Sequence, residues 1–144
     1  MNEMTERMLR AVGVLILRIG AGIFMMTHGW GKVKRIFSGD WTFADPIGIG
    51  PELSLIAAAG SEFVCAAMVV VGLLTRAAAA PIVFTMLIAA FVVHAADPWA
   101  QQEFALLYAL VFFVLMFTGG GKFSLDSLLW PALKRRRMKV KAAA

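Results

Sequence analysis

Two ionisable residues lie inside long apolar stretches of this sequence, where charges are rare. Arg18 falls within the apolar run 11–30, and Glu62 falls within the run 53–74. A charge at the centre of a bilayer costs at least about 2.5 kcal/mol, so such a residue usually has a partner or a function. Because the two residues lie at comparable depths on consecutive helices, we predict an Arg18–Glu62 ion pair. This pair is either a structural clamp or part of a functional site, since a buried ion pair is a weak source of stability.

A second group of polar residues lies towards the other end of the apolar stretches. His28 and His94 come late in their apolar runs, at similar heights, and Glu103 precedes a further run. Imidazole and carboxylate groups together can relay protons or bind a metal. The alternative is that they are interfacial residues wetted by water, or helix-end caps. Because no HxxxH or ExxH spacing is present, we predict no metal site.

Small and aromatic residues on the same segments bear on ligand binding. Gly22, Met25 and Gly29 share a helix face with Arg18, where they either allow close helix packing or leave a groove for a flat ring. We assign Trp30 and Tyr108, together with His28, to cofactor binding. Tyr108 is a possible hydrogen-bond donor from the last apolar run.

The composition indicates that lipid is the solvent for these segments. Of 144 residues, 60% are hydrophobic and 16% are charged, whereas soluble domains are about a quarter charged. Spanning a bilayer takes about 20 apolar residues. Four runs approach this length, at about 11–30, 53–74, 77–95 and 104–118. The first ends without a small-residue cleavage site, so we expect a span and not a cleaved signal. The sequence therefore predicts an all-α, integral membrane four-helix bundle in a single domain.

The basic residues predict the orientation of the bundle. Ten of the fourteen Lys and Arg residues lie in the N-terminal segment, the turn at 75–76 and the tail 122–144. Cytoplasmic loops carry this excess, so we predict that both termini are cytoplasmic. Ser124 is expected to cap a short interfacial helix that presents Leu125, Leu128 and Leu129 to lipid. We expect the basic tail to meet anionic lipid; no nucleic-acid motif accompanies it.

Several ordered motifs resemble the DoxX family of small four-helix membrane proteins over roughly residues 10–130. They are LRIG at 17–20, THGWGK at 27–32, Glu62 followed by VGLLTR at 71–76, His94 followed by EFALLY at 103–108, and TGGGKFSLD at 118–126. The chain is thereby similar to the membrane subunit of thiosulfate:quinone oxidoreductase. Other members are associated with oxidative-stress complexes at the membrane.

The resemblance implies a quinone-linked redox subunit of a bacterial inner membrane. The expected catalytic residues are Glu62, Arg18, His94 and Glu103, around a bound quinone. The alternative is a non-catalytic membrane anchor or assembly subunit of a larger complex. A carrier for a small solute or lipid is a third possibility, although no inverted repeat favours it. We also expect a homo-oligomer or a subunit of a redox complex, because four helices bury little of their own surface.

Overall fold

The computed structural model describes residues 2–129 and consists of helices joined by turns and loops. Four helices are long and apolar enough to cross a membrane: α1 (Glu3–Ser38), α2 (Pro51–Val71), α3 (Thr75–Val93) and α4 (Trp99–Thr118). A short helix, α5, covers 125–129. The part of the chain that the structure describes contains no strand. The predicted all-α membrane bundle is therefore confirmed. Trp130 and the basic residues from Lys134 onward lie outside the described residues.

The first helix is much longer than its apolar run. It has 36 residues, or about 54 Å at 1.5 Å per residue, whereas the hydropathy pattern predicts 11–30. Its polar first turns are supported by the Asn2 side chain, which accepts a hydrogen bond from the Met4 N–H. Gly39, at φ 73°, ends it in the left-handed conformation. Hydropathy marks only the part of a helix that lipid covers, so it missed these polar ends.

The four long helices alternate in direction and form a ring in which each contacts its two neighbours. The core between them contains Met25, Val69, Ile82, Phe112 and Leu115, all fully buried. The outward faces carry large apolar side chains such as Phe24 and Phe117, which are 61% and 67% exposed.

We call the end with the 72–74 turn and the segment 119–129 the turn end. The end with the loops 39–50 and 94–98 is the loop end.

Close contact between α1 and α2 depends on the glycine face of α1. Arg18, Gly22, Met25 and Gly29 are the buried residues of that helix. A Cβ atom at Gly29 would lie 2.7 Å from the backbone carbon of Glu62. The face is therefore filled by α2. This face of α1 therefore has no groove for a flat ring, because backbone atoms of α2 occupy the space.

The predicted Arg18–Glu62 ion pair is wrong. Arg18 instead donates to the carbonyl oxygens of Gly120 at 2.8 Å and Phe123 at 2.7 Å. Its guanidinium lies against Gly72, whose φ of 73° ends α2. Glu62 lies ten residues before Gly72, which is about 15 Å away along the helix axis. Arg18 thus belongs to the turn end, where the chain leaving α4 supplies free carbonyl groups.

Ser124 caps the short helix α5, as predicted from the sequence. The Ser124 hydroxyl accepts a hydrogen bond from the Ser127 N–H at 3.2 Å, and Leu128 is 70% exposed. The same segment also holds the start of α3, because the Asp126 carboxylate accepts from the N–H groups of Leu74 at 2.6 Å and Thr75 at 2.9 Å. This contact supports Leu74, a non-glycine residue at φ 47°.

The close helix contact generates a prediction with an internal control. Gly29→Ala should lower the melting temperature of the purified protein, because its Cβ would force the α1 and α2 backbones apart. Overpacking of this kind costs about 1–3 kcal/mol. Gly31→Ala lies in the same helix with nothing within 4 Å of its Cβ. It should leave the melting temperature unchanged or raise it, since alanine favours helix. Equal effects of the two substitutions would contradict the packing described.

Candidate ligand-binding site

Glu62 is paired with Lys32, a residue that the prediction did not select. The Lys32 Nζ and Glu62 Oε2 atoms lie 2.6 Å apart, with the two side chains 22% and 5% exposed. Lys32 is 14 residues beyond Arg18, so the pair lies about 21 Å along α1 from the Arg18 level. Helix α1 places Lys32 there because Gly29, one turn earlier, brings α1 against the backbone of Glu62.

Both helices next to this pair contain a π-helical segment. In α2 the segment is Gly60–Cys65, which includes Glu62, and in α3 it is Ala89–Val93. A π turn inserts one extra residue into an α-helix and redirects the side chains around it, and such turns are frequent at functional sites. The Ser61 and Thr85 hydroxyls, 2.9 Å apart, join the two helices near these segments.

A cavity of about 430 Å³, the histidine cavity, opens beside the ion pair at the loop end. All four long helices contribute to it, which brings together residues that are far apart in sequence. Its polar and aromatic wall is formed by His28, Lys32, Glu62, His94, Gln101, Phe104 and Tyr108.

Three of the wall residues form an aromatic cluster. The His28 ring meets Phe104 and Tyr108 edge-on, with ring centroids 5.5 and 5.6 Å apart. Among residues 2–129, neither the His28 ring nor the Tyr108 hydroxyl makes a hydrogen bond. His28 is exposed and Tyr108 is half-buried, so both polar groups are accessible to a molecule that enters the cavity. Their free hydrogen-bonding capacity, facing a cavity, is what a bound ligand would use.

His94 connects the histidine cavity to the surface of the loop end. Its Nδ1 atom lies 2.6 Å from the Asp97 carboxylate, and both side chains are partly exposed. The Gln102 amide donates to the carbonyl oxygens of His94 and Ala95 at 2.9 and 3.2 Å. This contact with the Asp97 carboxylate orients the His94 ring. His94 is therefore fixed in place with Asp97 as its contact to solvent.

A second cavity, of about 300 Å³, lies beneath the loop 39–50, and we call it the lid cavity. It shares Lys32, Glu62, Ala89 and His94 with the histidine cavity. The loop is held by Asp45, which accepts hydrogen bonds from the Ile49 and Gly50 N–H groups and from the Ser54 hydroxyl. The ion pair thus lies in a wall common to two cavities.

The loop carboxylates are stabilised in their ionised forms. Hydrogen bonds from Thr42 and Arg35 lower the pKa of Asp40 to about 2. The Gly50 N–H and further donors likewise lower the pKa of Asp45. Groups with lowered pKa values contribute stability above the usual aspartate pKa of about 4, and the contribution is lost as the pH falls through the lowered value. The hydrogen bonds that these ionised carboxylates accept therefore persist throughout the neutral range.

The structure brings together only some residues of the predicted site. His28, Glu62, His94 and Tyr108 all line the histidine cavity. Arg18 lies at the turn end. Trp30 is half-exposed and stacks on Phe63 with centroids 5.6 Å apart. Glu103 is exposed. None of these last three residues lines either cavity.

Lys32, Asp97 and Gln101 are site residues that the sequence reasoning missed. Lys32 was detectable, because it lies four residues after His28 and so on the same helix face. Asp97 is likewise three residues after His94. Over residues 2–129 no three His, Cys, Asp or Glu side chains cluster as metal ligands would.

A four-helix membrane bundle with a polar, aromatic-walled cavity at one end defines the class of the protein. The DoxX family model matches residues 13–95, more than half of the chain. The chain therefore belongs to the DoxX family, as its motifs indicated. It is also 30% identical over 125 residues to "Inner membrane protein YqjF" of Escherichia coli (strain K12), a match that covers 84% of this chain and 95% of the relative. No solved structure gives a significant match.

The revised ion pairing predicts which charges are energetically coupled. Lys32→Met leaves the buried Glu62 carboxylate unpaired and should cost about 3 kcal/mol of stability. Adding Glu62→Gln should recover about 1–3 kcal/mol of the summed cost, because the two residues interact directly. The measurement is equilibrium unfolding in mixed micelles.

Arg18→Lys combined with Glu62→Gln is the matched control for this cycle. These two substitutions should be additive within about 0.5 kcal/mol, because the residues share no partner. A coupling free energy between Arg18 and Glu62, with none between Lys32 and Glu62, would contradict the Lys32–Glu62 pair and support the Arg18–Glu62 pair predicted from the sequence.

Proposed function

We propose that this protein is a quinone-linked redox subunit of a bacterial inner membrane, and that a quinone head binds in the histidine cavity. The observation that carries the proposal is the pair of unpartnered groups, His28 and Tyr108, facing a cavity beside the Lys32–Glu62 pair. The name of the Escherichia coli relative supports the inner membrane location. The family resemblance supports the choice of a quinone.

The size and chemistry of the cavity fit a quinone head. An apolar cavity of about 150 Å³ takes up benzene, so about 430 Å³ accommodates a substituted ring. A quinone has two carbonyl oxygens, which need hydrogen-bond donors. Tyr108, Lys32 and a protonated nitrogen of His28 are donors in the wall. Phe104 supplies an aromatic surface for ring packing.

Charged groups in the cavity wall are suited to the proton transfers that accompany reduction of a quinone. Reduction of a quinone to a quinol consumes two electrons and two protons. We assign the proton relay to His94 and Glu62. Each would accept a proton that originates from water at the loop end before passing it on, and Asp97 orients His94 and links it to that water. We assign the electrons to a redox partner protein that carries its own cofactor, since the chain has a single cysteine.

The orientation follows from the distribution of Lys and Arg. Ten of these residues belong to the turn end or to segments continuous with it, so we place that end in the cytoplasm. The histidine cavity then lies in the outer half of the membrane. Its protons would exchange with the extracytoplasmic side through the His94–Asp97 pair.

Quinone titration of the purified protein in lipid nanodiscs tests the proposal. His28→Ala and Tyr108→Phe should each weaken quinone binding by about 3- to 10-fold, the range expected for the loss of one hydrogen bond. Glu103→Gln is the control, because Glu103 is exposed and lines neither cavity, and it should bind as wild type does. Wild-type protein that binds no quinone would contradict the proposal and favour the assembly-subunit alternative.

A further inference from the structure

The lid cavity shares Lys32, Glu62 and His94 with the histidine cavity but is not lined by the unpartnered groups of the latter, His28 and Tyr108. Every polar side chain in its wall already has a hydrogen-bond partner: Lys32 with Glu62, Ser54 with Asp45, Thr85 with Ser61, and His94 with Asp97. The rest of the wall is apolar, with Phe43, Ile47 and Ile49 from the loop and Phe84, Ile88 and Val93 from α3. Such a wall offers an incoming molecule apolar contact and little else.

The position of the lid cavity relates it to lipid. Phe84 is nine residues beyond Thr75, or about 14 Å along a helix of about 28 Å, so it lies near the middle of the span. Its side chain is 60% exposed on the outside of the bundle. The cavity therefore has an edge at the depth where the hydrocarbon tails of a bilayer lie.

The two cavities are adjacent and differ in chemistry. They share the wall formed by Lys32, Glu62, Ala89 and His94. A molecule with its polar head among the unpartnered groups of the histidine cavity would pass this wall to reach the lid cavity. The lid cavity, at about 300 Å³, has twice the roughly 150 Å³ that accommodates benzene. This is room for a short length of branched hydrocarbon chain.

We infer that the lid cavity binds the first few carbons of the hydrocarbon chain of the ligand whose head occupies the histidine cavity, with the loop 39–50 covering that chain. The inference rests on the proposed function. It makes the ligand an amphipathic lipid with a chain, and it divides the site into a polar compartment and an apolar compartment. The Asp45 hydrogen bonds keep the apolar loop residues over the chain. The remainder of the chain leaves past Phe84 into the bilayer.

Two quinones with the same head, one bare and one carrying a short isoprenoid chain, test this inference in nanodiscs. Ala57 is an exposed residue that lines the lid cavity, so Ala57→Phe fills the cavity without disturbing buried packing. It should weaken binding of the chain-bearing quinone by about 10-fold or more, as expected when an apolar group of leucine size loses its burial. Binding of the bare head should not change. Each affinity is taken relative to wild type, so partitioning into lipid cancels.

The matched control is Ala77→Phe, an exposed alanine of α3 that lines neither cavity, which should leave both affinities unchanged. If Ala57→Phe weakens both quinones equally, or neither, the chain lies in the bilayer and the lid-cavity inference is overturned while the proposed function stands. If wild-type protein binds neither quinone, the proposed function fails, and this inference fails with it.

A measurement on the wild-type chain removes any dependence on folding of the variant. A quinone with a photoreactive group on its first isoprenoid unit should label residues 43–49 and Phe84. Labelling confined to lipid-facing residues of α4, such as Leu110, would overturn the inference.

Discussion

A carboxylate buried in a membrane bundle needs a cation within contact distance, and Lys32 meets this need for Glu62. The requirement fixes the register of α1 against α2. Gly29 allows the two backbones to approach, and Lys32 follows one turn later, where its amine is 2.6 Å from the carboxylate. The pair then forms the wall between two cavities, and the π segments of α2 and α3 shape that wall. A displacement of either helix by one turn would separate the charges and dismantle both cavities.

The two ends of the bundle use their polar groups differently. At the turn end, Arg18 is buried and donates to two carbonyl groups, and Asp126 accepts from two N–H groups of the neighbouring turn. These hydrogen bonds hold the chain leaving α4 against α1 and α3, while the Arg18 Nε atom and the Thr75 hydroxyl are buried there without a hydrogen-bond partner among the described residues. At the loop end, His28 and Tyr108 have no partner among the described residues and face a cavity. The turn end therefore anchors the segment that follows α4, and the unpartnered groups that face the histidine cavity lie at the loop end.

Sequence reasoning recovered the features of the fold that hydropathy and helix periodicity encode. The four spans, the buried face of α1 and the Ser124 cap are of this kind. The Arg18–Glu62 pair failed because depths were counted from the edges of apolar runs, whereas α1 extends well beyond its run. Lys32 was overlooked because an interfacial lysine was taken as an orientation signal alone. The π segments and the folding of the loop 39–50 over a cavity depend on tertiary contacts, which no local pattern reports.

The central claim is that the loop-end site, organised by the Lys32–Glu62 pair, holds a quinone in the membrane. The most direct measurement is the quinone content of protein isolated in native lipid nanodiscs, determined by mass spectrometry after solvent extraction, for wild type and Glu62→Gln. The account predicts about one quinone per chain for wild type, above the content of the surrounding lipid, and a fall to the lipid level for Glu62→Gln. A wild-type content equal to that of the lipid, in folded protein, would contradict it.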